Sequence, residues 1–193
     1  MKKRSKITKV LFIILSSFIL LAFLQRQEEQ IVWSKDRPLT WADFKGKPLN
    51  KSTAGALSFC GIRHYFLYEN GLIKINTETS FNCKKSWVNL EDKILSTLEH
   101  EQLHFNIAEL NSRKLRQELH AVKFKQNGEK AKKQFDITYN KYYIQLNDYQ
   151  ALYDKETTSP RNEIKQKEWL EKIARELSEL EAYSNPVIEI KLK

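Results

Sequence analysis

Cysteine, glycine and proline are all scarce in this chain, at two, five and four residues of 193. Two cysteines without C-x-x-C spacing exclude a thiolate-built metal site and the disulfide-dense class of small scaffolds. So little glycine and proline excludes collagen-like and low-complexity chains. No internal repeat or biased linker interrupts the sequence, which argues for one domain of ordinary size behind any targeting segment. What remains is 41% hydrophobic, 30% charged and 11% aromatic, the make-up of a folded enzyme or binding domain.

The net charge of +9 is unevenly spread. Lys2, Lys3, Arg4, Lys6 and Lys9 stand before residue 25 with no acid among them, and the rest of the chain carries 28 basic against 24 acidic residues. That distribution argues for targeting and against a nucleic-acid partner. Behind the basic cluster comes "VLFIILSSFILLAFL", residues 10–24, long for a signal-peptide core and short of the about 20 residues of a comfortable membrane span. No A-x-A cleavage pattern and no cysteine for lipidation follow it. Residues 1–26 are therefore expected to be a signal peptide or an uncleaved anchor in the inner membrane. Residues 27–193 would form an exported domain that is periplasmic, membrane-anchored or secreted, depending on cleavage.

In an oxidising compartment a Cys60–Cys83 disulfide is the first expectation. The stretch between them, "CGIRHYFLYENGLIKINTETSFNC", reads as a hairpin turning at Asn70-Gly71. Pairing Glu69 with Leu72 sets Cys60 opposite Phe81 and diagonal to Cys83, so a bulge is needed to join the sulfurs; two buried free thiols are the alternative. Trp33 and Trp41, in the irregular segment before the hairpin, are expected core anchors.

Three helical patterns follow. The first spans residues 90–124 and ends at Gln126-Asn127-Gly128. A second spans 129–157, with Phe135, Tyr139, Tyr142, Leu146, Tyr149 and Tyr153 stepping by four and three. The third opens with Ser159 as cap and Pro160 as first helical residue and runs to Tyr183. The tail "NPVIEIKLK" alternates and is expected to return as a strand. The expected fold class is α+β, a small antiparallel sheet (hairpin) packed with three long helices, with a zincin-like site on the first.

That site is "LEHEQLHFNIAEL", residues 98–110. His100, Glu101 and His104 make HExxH, which on a helix stacks two imidazoles one turn apart and sets a glutamate beside them to activate water. Catalytic zinc normally takes three protein ligands, and this helix supplies no third. At about 100° per residue, Glu109 and His120 point about 160° and 180° away from the pair. If the first two helices fold back around Asn127, His100 comes level with Asp154 and His104 with Gln150. Two carboxylates, Glu156 and Asp154, are thus candidates for the third ligand, Glu156 lying nearer the tyrosine stripe; His64 in the hairpin is another.

The strings "RPLTWADFKGKP", "SWVN", "HEQLHFNIAEL" and "YDKETTSPRNEIKQKEWLEKI" resemble a family of exported bacterial proteins described as zinc-dependent proteases, which still carries the label domain of unknown function 922. The resemblance spans residues 33–173. It implies Zn2+ held by His100 and His104, Glu101 as general base, and a peptide or protein substrate. Tyr153, Asp154, Thr157, Gln166 and Trp169 match the family's later pattern, but Ser159 stands where members commonly carry a histidine. The reading is a zinc metallopeptidase of the cell envelope, with Tyr149 or Tyr153 as oxyanion donor and a hairpin edge taking the peptide by strand addition. The alternative is a catalytically inactive binding or scaffold domain that retains the helix.

Overall fold

The computed structural model describes residues 30–48, 52, 54–157 and 162–192. The basic cluster, the apolar run and the Ser159-Pro160 cap expectation lie outside these residues. Among the described residues no helix is long and apolar enough to cross a membrane.

The hairpin is built from β3 (Cys60–Glu69) and β4 (Leu72–Asn82). Asn70 and Gly71 both take positive φ, 49° and 76°, the conformation that a tight two-residue turn demands and that asparagine and glycine tolerate. The ladder then runs without a bulge from Glu69↔Leu72 to Cys60↔Phe81, the register the turn sequence implies. Alternation along β4 buries Ile73, Ile75, Thr77, Thr79 and Phe81 on one face. Strands β1 (Gln30–Val32) and β6 (Val187–Lys191) share the other edge of β4, while β2 (Ala56–Leu57) and β5 (Trp87–Val88) form a separate antiparallel pair. The tail strand is thus present, and β1, β2 and β5 are additions that sequence patterning did not reveal because each is two or three residues long.

Helix α1 (Leu95–Ala121) crosses the buried face of the hairpin and packs against α2 (Gly128–Thr157) and α3 (Glu163–Glu179). The fold class is α+β, with three α-helices on small antiparallel sheets among the described residues. Helix α1 starts later than its pattern suggested: Leu90–Asp92 form a separate 3-10 turn, and Ile94 is extended at φ −112° and ψ 162°. The third helix also starts later, where the Asn162 side chain accepts from the Lys165 amide.

The main core lies between hairpin and helices, around Ile73, Ile75, Leu103, Ile107, Phe135 and Ile173. A smaller core of Ile31, Leu39, Phe44, Phe81, Val88 and Phe105 pins the segment before the hairpin, with Trp33 and Trp41 packed against it as expected. The Trp33 indole also donates to Asn106 Oδ1 at 2.9 Å.

The disulfide is absent: Cys60 and Cys83 are both free. With no bulge, diagonal neighbours in an antiparallel ladder sit about 7–8 Å apart, whereas a disulfide needs Cβ atoms about 3.5–4.5 Å apart. Cys83 instead packs among the Phe44 and Phe81 rings of the smaller core.

Candidate metal centre

Helix α1 projects His100 and His104 from one face, one turn apart, and α2 runs back beside it so that Asp154 and Gln150 come level with them. The Asp154 carboxylate oxygen Oδ1 lies 3.2 Å from His100 Nε2 and 2.9 Å from His104 Nε2. The two Nε2 atoms are themselves 3.2 Å apart. Three ligand atoms thus converge on one point, and the trio is able to hold a metal ion. A tetrahedral zinc with bonds of about 2.0–2.1 Å keeps neighbouring ligand atoms about 3.3–3.4 Å apart, so the donor set fits it in kind and in span.

Of the three carboxylate and histidine candidates, the structure brings only Asp154 to the pair. Glu156 lies on the other side of the Tyr153 stripe, toward α3, where its Oε2 accepts from the Trp169 indole at 2.8 Å. His64 sits on β3 with its ring 4.1 Å from that of Tyr139 and 5.2 Å from that of Phe135. Ser159 lies outside the described residues.

Hydrogen bonds behind the imidazoles fix which nitrogen faces the centre. Gln150 Nε2 donates to the His104 carbonyl at 2.9 Å, so its Oε1 must face His104 Nδ1 and accept from it. Gln166 Oε1 lies 3.3 Å from His100 Nδ1 and also accepts from the Tyr153 hydroxyl at 2.6 Å. With both Nδ1 protons committed to amide oxygens, each neutral imidazole turns its Nε2 lone pair inward. Tyr153 stacks on His100, centroids 4.6 Å apart, and clamps it.

Electrostatics follow from the same contacts. The Asp154 carboxyl is held below its usual range: burial pushes it up, but hydrogen bonds and charge from His100 and His104 outweigh that. Burial presses the His104 imidazole down, yet its bond to Asp154, with the charges of Glu101 and Asp154, holds it above its ordinary value. A proton shared with Asp154 can thus stand in for a cation.

Glu101 is 4% exposed, and its Oε2 has no hydrogen-bond partner. It lines the same cavity of about 330 Å³ as the histidines and Asp154, whose other wall includes Ala56, Leu57 and Cys60. Ser58 Oγ donates to the Glu101 carbonyl at 3.2 Å and ties that wall to the helix. Burial, with the Glu101 charge adding, pushes the Cys60 thiol up to about 12, so it stays protonated beside Gln150.

Residues 73–161 match the model of a family described as bacterial protein of unknown function (DUF922). The match takes in His100, Glu101, His104, Gln150 and Asp154, and it supports the DUF922 likeness carried by the HEQLHFNIAEL string; the description names no activity. No curated protein and no solved structure matches the chain.

Two expectations fail in the geometry. Tyr153 spends its hydroxyl on Gln166 and the His100 carbonyl, and Tyr149 packs against Trp169, so neither faces the cavity as an oxyanion donor. Sequence reasoning also missed the orienting roles of Gln150 and Gln166. The available signal was position: Gln150 is level with His104 across the helical hairpin, and Gln166 lies one helix further on.

Proposed function

We propose that this chain is a zinc-dependent metallopeptidase of the bacterial cell envelope. The observation that carries the reading is the convergence of His100 Nε2, His104 Nε2 and Asp154 Oδ1 on one point, each within 3.2 Å of the others, beside a buried carboxylate with an orphaned oxygen. Export is supported by the basic cluster and the apolar run at residues 10–24. The HEQLHFNIAEL resemblance supports zinc and peptide hydrolysis.

When bound, Zn2+ would lower the pKa of a coordinated water toward about 7 and polarise a carbonyl. The chain's residues supply the remainder. Asp154 gives the donor set one negative charge, and the two glutamines hold the imidazoles in the tautomer that binds metal. Glu101 accepts a proton at Oε2 from the attacking water and returns it to the leaving amine. Its burial keeps bulk water from competing, and the Ala56–Leu57 wall narrows the approach from one side.

Metal analysis of the purified chain is the direct test: about one zinc per chain, lost in His104→Ala, together with cleavage of an unfolded protein substrate. Folded protein that takes up no zinc would sink the reading. Zinc without hydrolysis would leave a metal-holding binding domain.

A further inference from the structure

Cys60 lines the cavity at the metal centre and also a second cavity, of about 420 Å³. The second lies where β3 leaves the core face and presents Gly61 and Arg63 on the outer face of the sheet, opposite Ser80 and Glu78. Strand β3 pairs with β4 along one side and has no strand on the other among the described residues. Tyr139 donates to the Ile62 carbonyl at 3.0 Å, next to Cys60 and Gly61, which line the second cavity.

Two features of this trough point to a ligand. A Cβ placed on Gly61 would meet nothing within 4 Å, so there is room directly above the backbone, walled by α2 at Tyr143 and Asn147. Its lining also carries charge of one sign, Arg63 and Lys85, with no acidic residue. Arg63 is held by Glu78 at 2.9 Å, whereas the Lys85 ammonium rests 4.5 Å above the exposed Phe59 ring. A lysine poised over an aromatic face at the mouth of a groove suits a carboxylate on an aliphatic stem.

We infer that the trough from Cys60 across Gly61 to Lys85 is a substrate subsite for an extended peptide segment bearing an acidic side chain on one side of the bond presented to the metal centre. The inference rests on the metallopeptidase reading and deepens it by naming the substrate class. Successive residues of an extended chain advance about 3.3 Å, so a peptide lying in both cavities places one side chain over Gly61 while its backbone passes the cluster. Glycine at 61 is then a specificity device: any side chain there occupies the peptide's place.

The test uses the full-length chain carrying Glu101→Gln, loaded with zinc, and two fluorescein-labelled decapeptides that differ only by three glutamates in place of three lysines. Fluorescence anisotropy should show the acidic peptide bound about tenfold more tightly, a preference that shrinks with salt. Lys85→Glu should remove most of it, and because the basic N-terminus is present in every variant, that difference reads the trough. Gly61→Phe should weaken acidic-peptide binding about tenfold with zinc content unchanged. Equal binding of the two peptides, or a preference untouched by both substitutions, overturns the inference. Should either variant fail to fold by circular dichroism, Lys85→Gln and Gly61→Val replace them and are read the same way. Lys85-dependent binding in protein that takes no zinc would keep the subsite and overturn the metallopeptidase reading; zinc uptake without charge preference does the reverse.

Discussion

Helix α1 contributes to two polar clusters, one buried around Glu109 and one open to solvent at Asp154, and they are built on different principles. Toward its C-terminal end, Glu109 Oε1 accepts from Arg113 Nε at 2.9 Å and Arg116 Nη2 at 2.6 Å, while Oε2 accepts from Thr79 at 2.7 Å. Arg113 Nη1 goes on to the Leu177 carbonyl at 2.7 Å, and Arg116 Nη1 to the Thr77 carbonyl at 2.8 Å. Apart from Arg116 Nε, which has no partner, donors meet acceptors, and the cluster ties α1 to β4 and α3. Two turns earlier, two imidazole nitrogens and the Asp154 carboxylate crowd around one point with a shared proton between His104 and Asp154, and Glu101 leaves an oxygen unpaired. Buried polar atoms left without partners cost stability; in the first cluster the orphan sits within a set of buried ion pairs, whereas Glu101 borders a cavity where a ligand has room to supply the partner.

Substitutions that exchange the roles of these clusters test the contrast. Glu101→Gln should have the largest effect, a loss of about 10²–10⁴ in peptide hydrolysis with zinc stoichiometry retained. Stability should hold or rise, because a neutral amide replaces a buried carboxylate. Activity surviving the change would remove Glu101 from the chemistry. Glu109→Gln should do the opposite, destabilising the fold by about 3–5 kcal/mol in chemical denaturation because the buried Arg116 guanidinium loses its counter-charge and Arg113 keeps only the exposed Glu181. The folded fraction should still bind zinc; a variant that kept its stability but lost metal would show that the clusters had been assigned the wrong way round.

A smaller effect separates the donor atoms from the groups that aim them. Gln150→Leu and Gln166→Leu should each weaken zinc binding by about 10–100-fold in a competition titration without abolishing it. Co2+ substituted into either variant should show an altered visible absorption band, a signature that simple loss of packing would leave unchanged. Unaltered affinity in both variants would mean that the imidazole tautomers are set by other contacts.

The paired imidazoles, the hairpin turn and its register were all legible, because each depends on local spacing: four residues on a helix, two at a turn, two along a strand. Even the meeting of His100 with Asp154 and His104 with Gln150 follows from counting outward from the break at residue 127. The choice of Asp154 over Glu156 was not legible. Glu156 lies only about 3 Å further along the helix, and what separates the two is the side of α2 on which α3 packs, where Trp169 claims Glu156. Free cysteines were likewise hidden, since a bulge is a feature of backbone geometry that the residue pattern of this hairpin does not encode. Gln166 reaches His100 across 66 positions of sequence, beyond any periodic signal.

The same contrast has a pH dependence, because only the open cluster must exchange a proton for its ligand. His104 is held above its ordinary 6.5, so its pairing stabilises the metal-free fold fully below that pH and the contribution fades as pH rises through the raised value. Asp154 is held below its ordinary 3.8, so its contribution is present above that pH and is lost as pH falls through the depressed value. The metal-free protein therefore gains most from this pair between about pH 4 and pH 6.5. Zinc must displace the His104 proton, so its affinity should rise about tenfold per pH unit until the raised value is passed and level off above it. Thermal shifts on adding zinc should accordingly grow from pH 5.5 to pH 8, and Asp154→Asn should flatten that rise by removing the partner that holds the proton. A zinc-induced shift of constant size across this range would mean that no proton is exchanged at the centre, and that the two clusters differ less than their hydrogen bonds suggest.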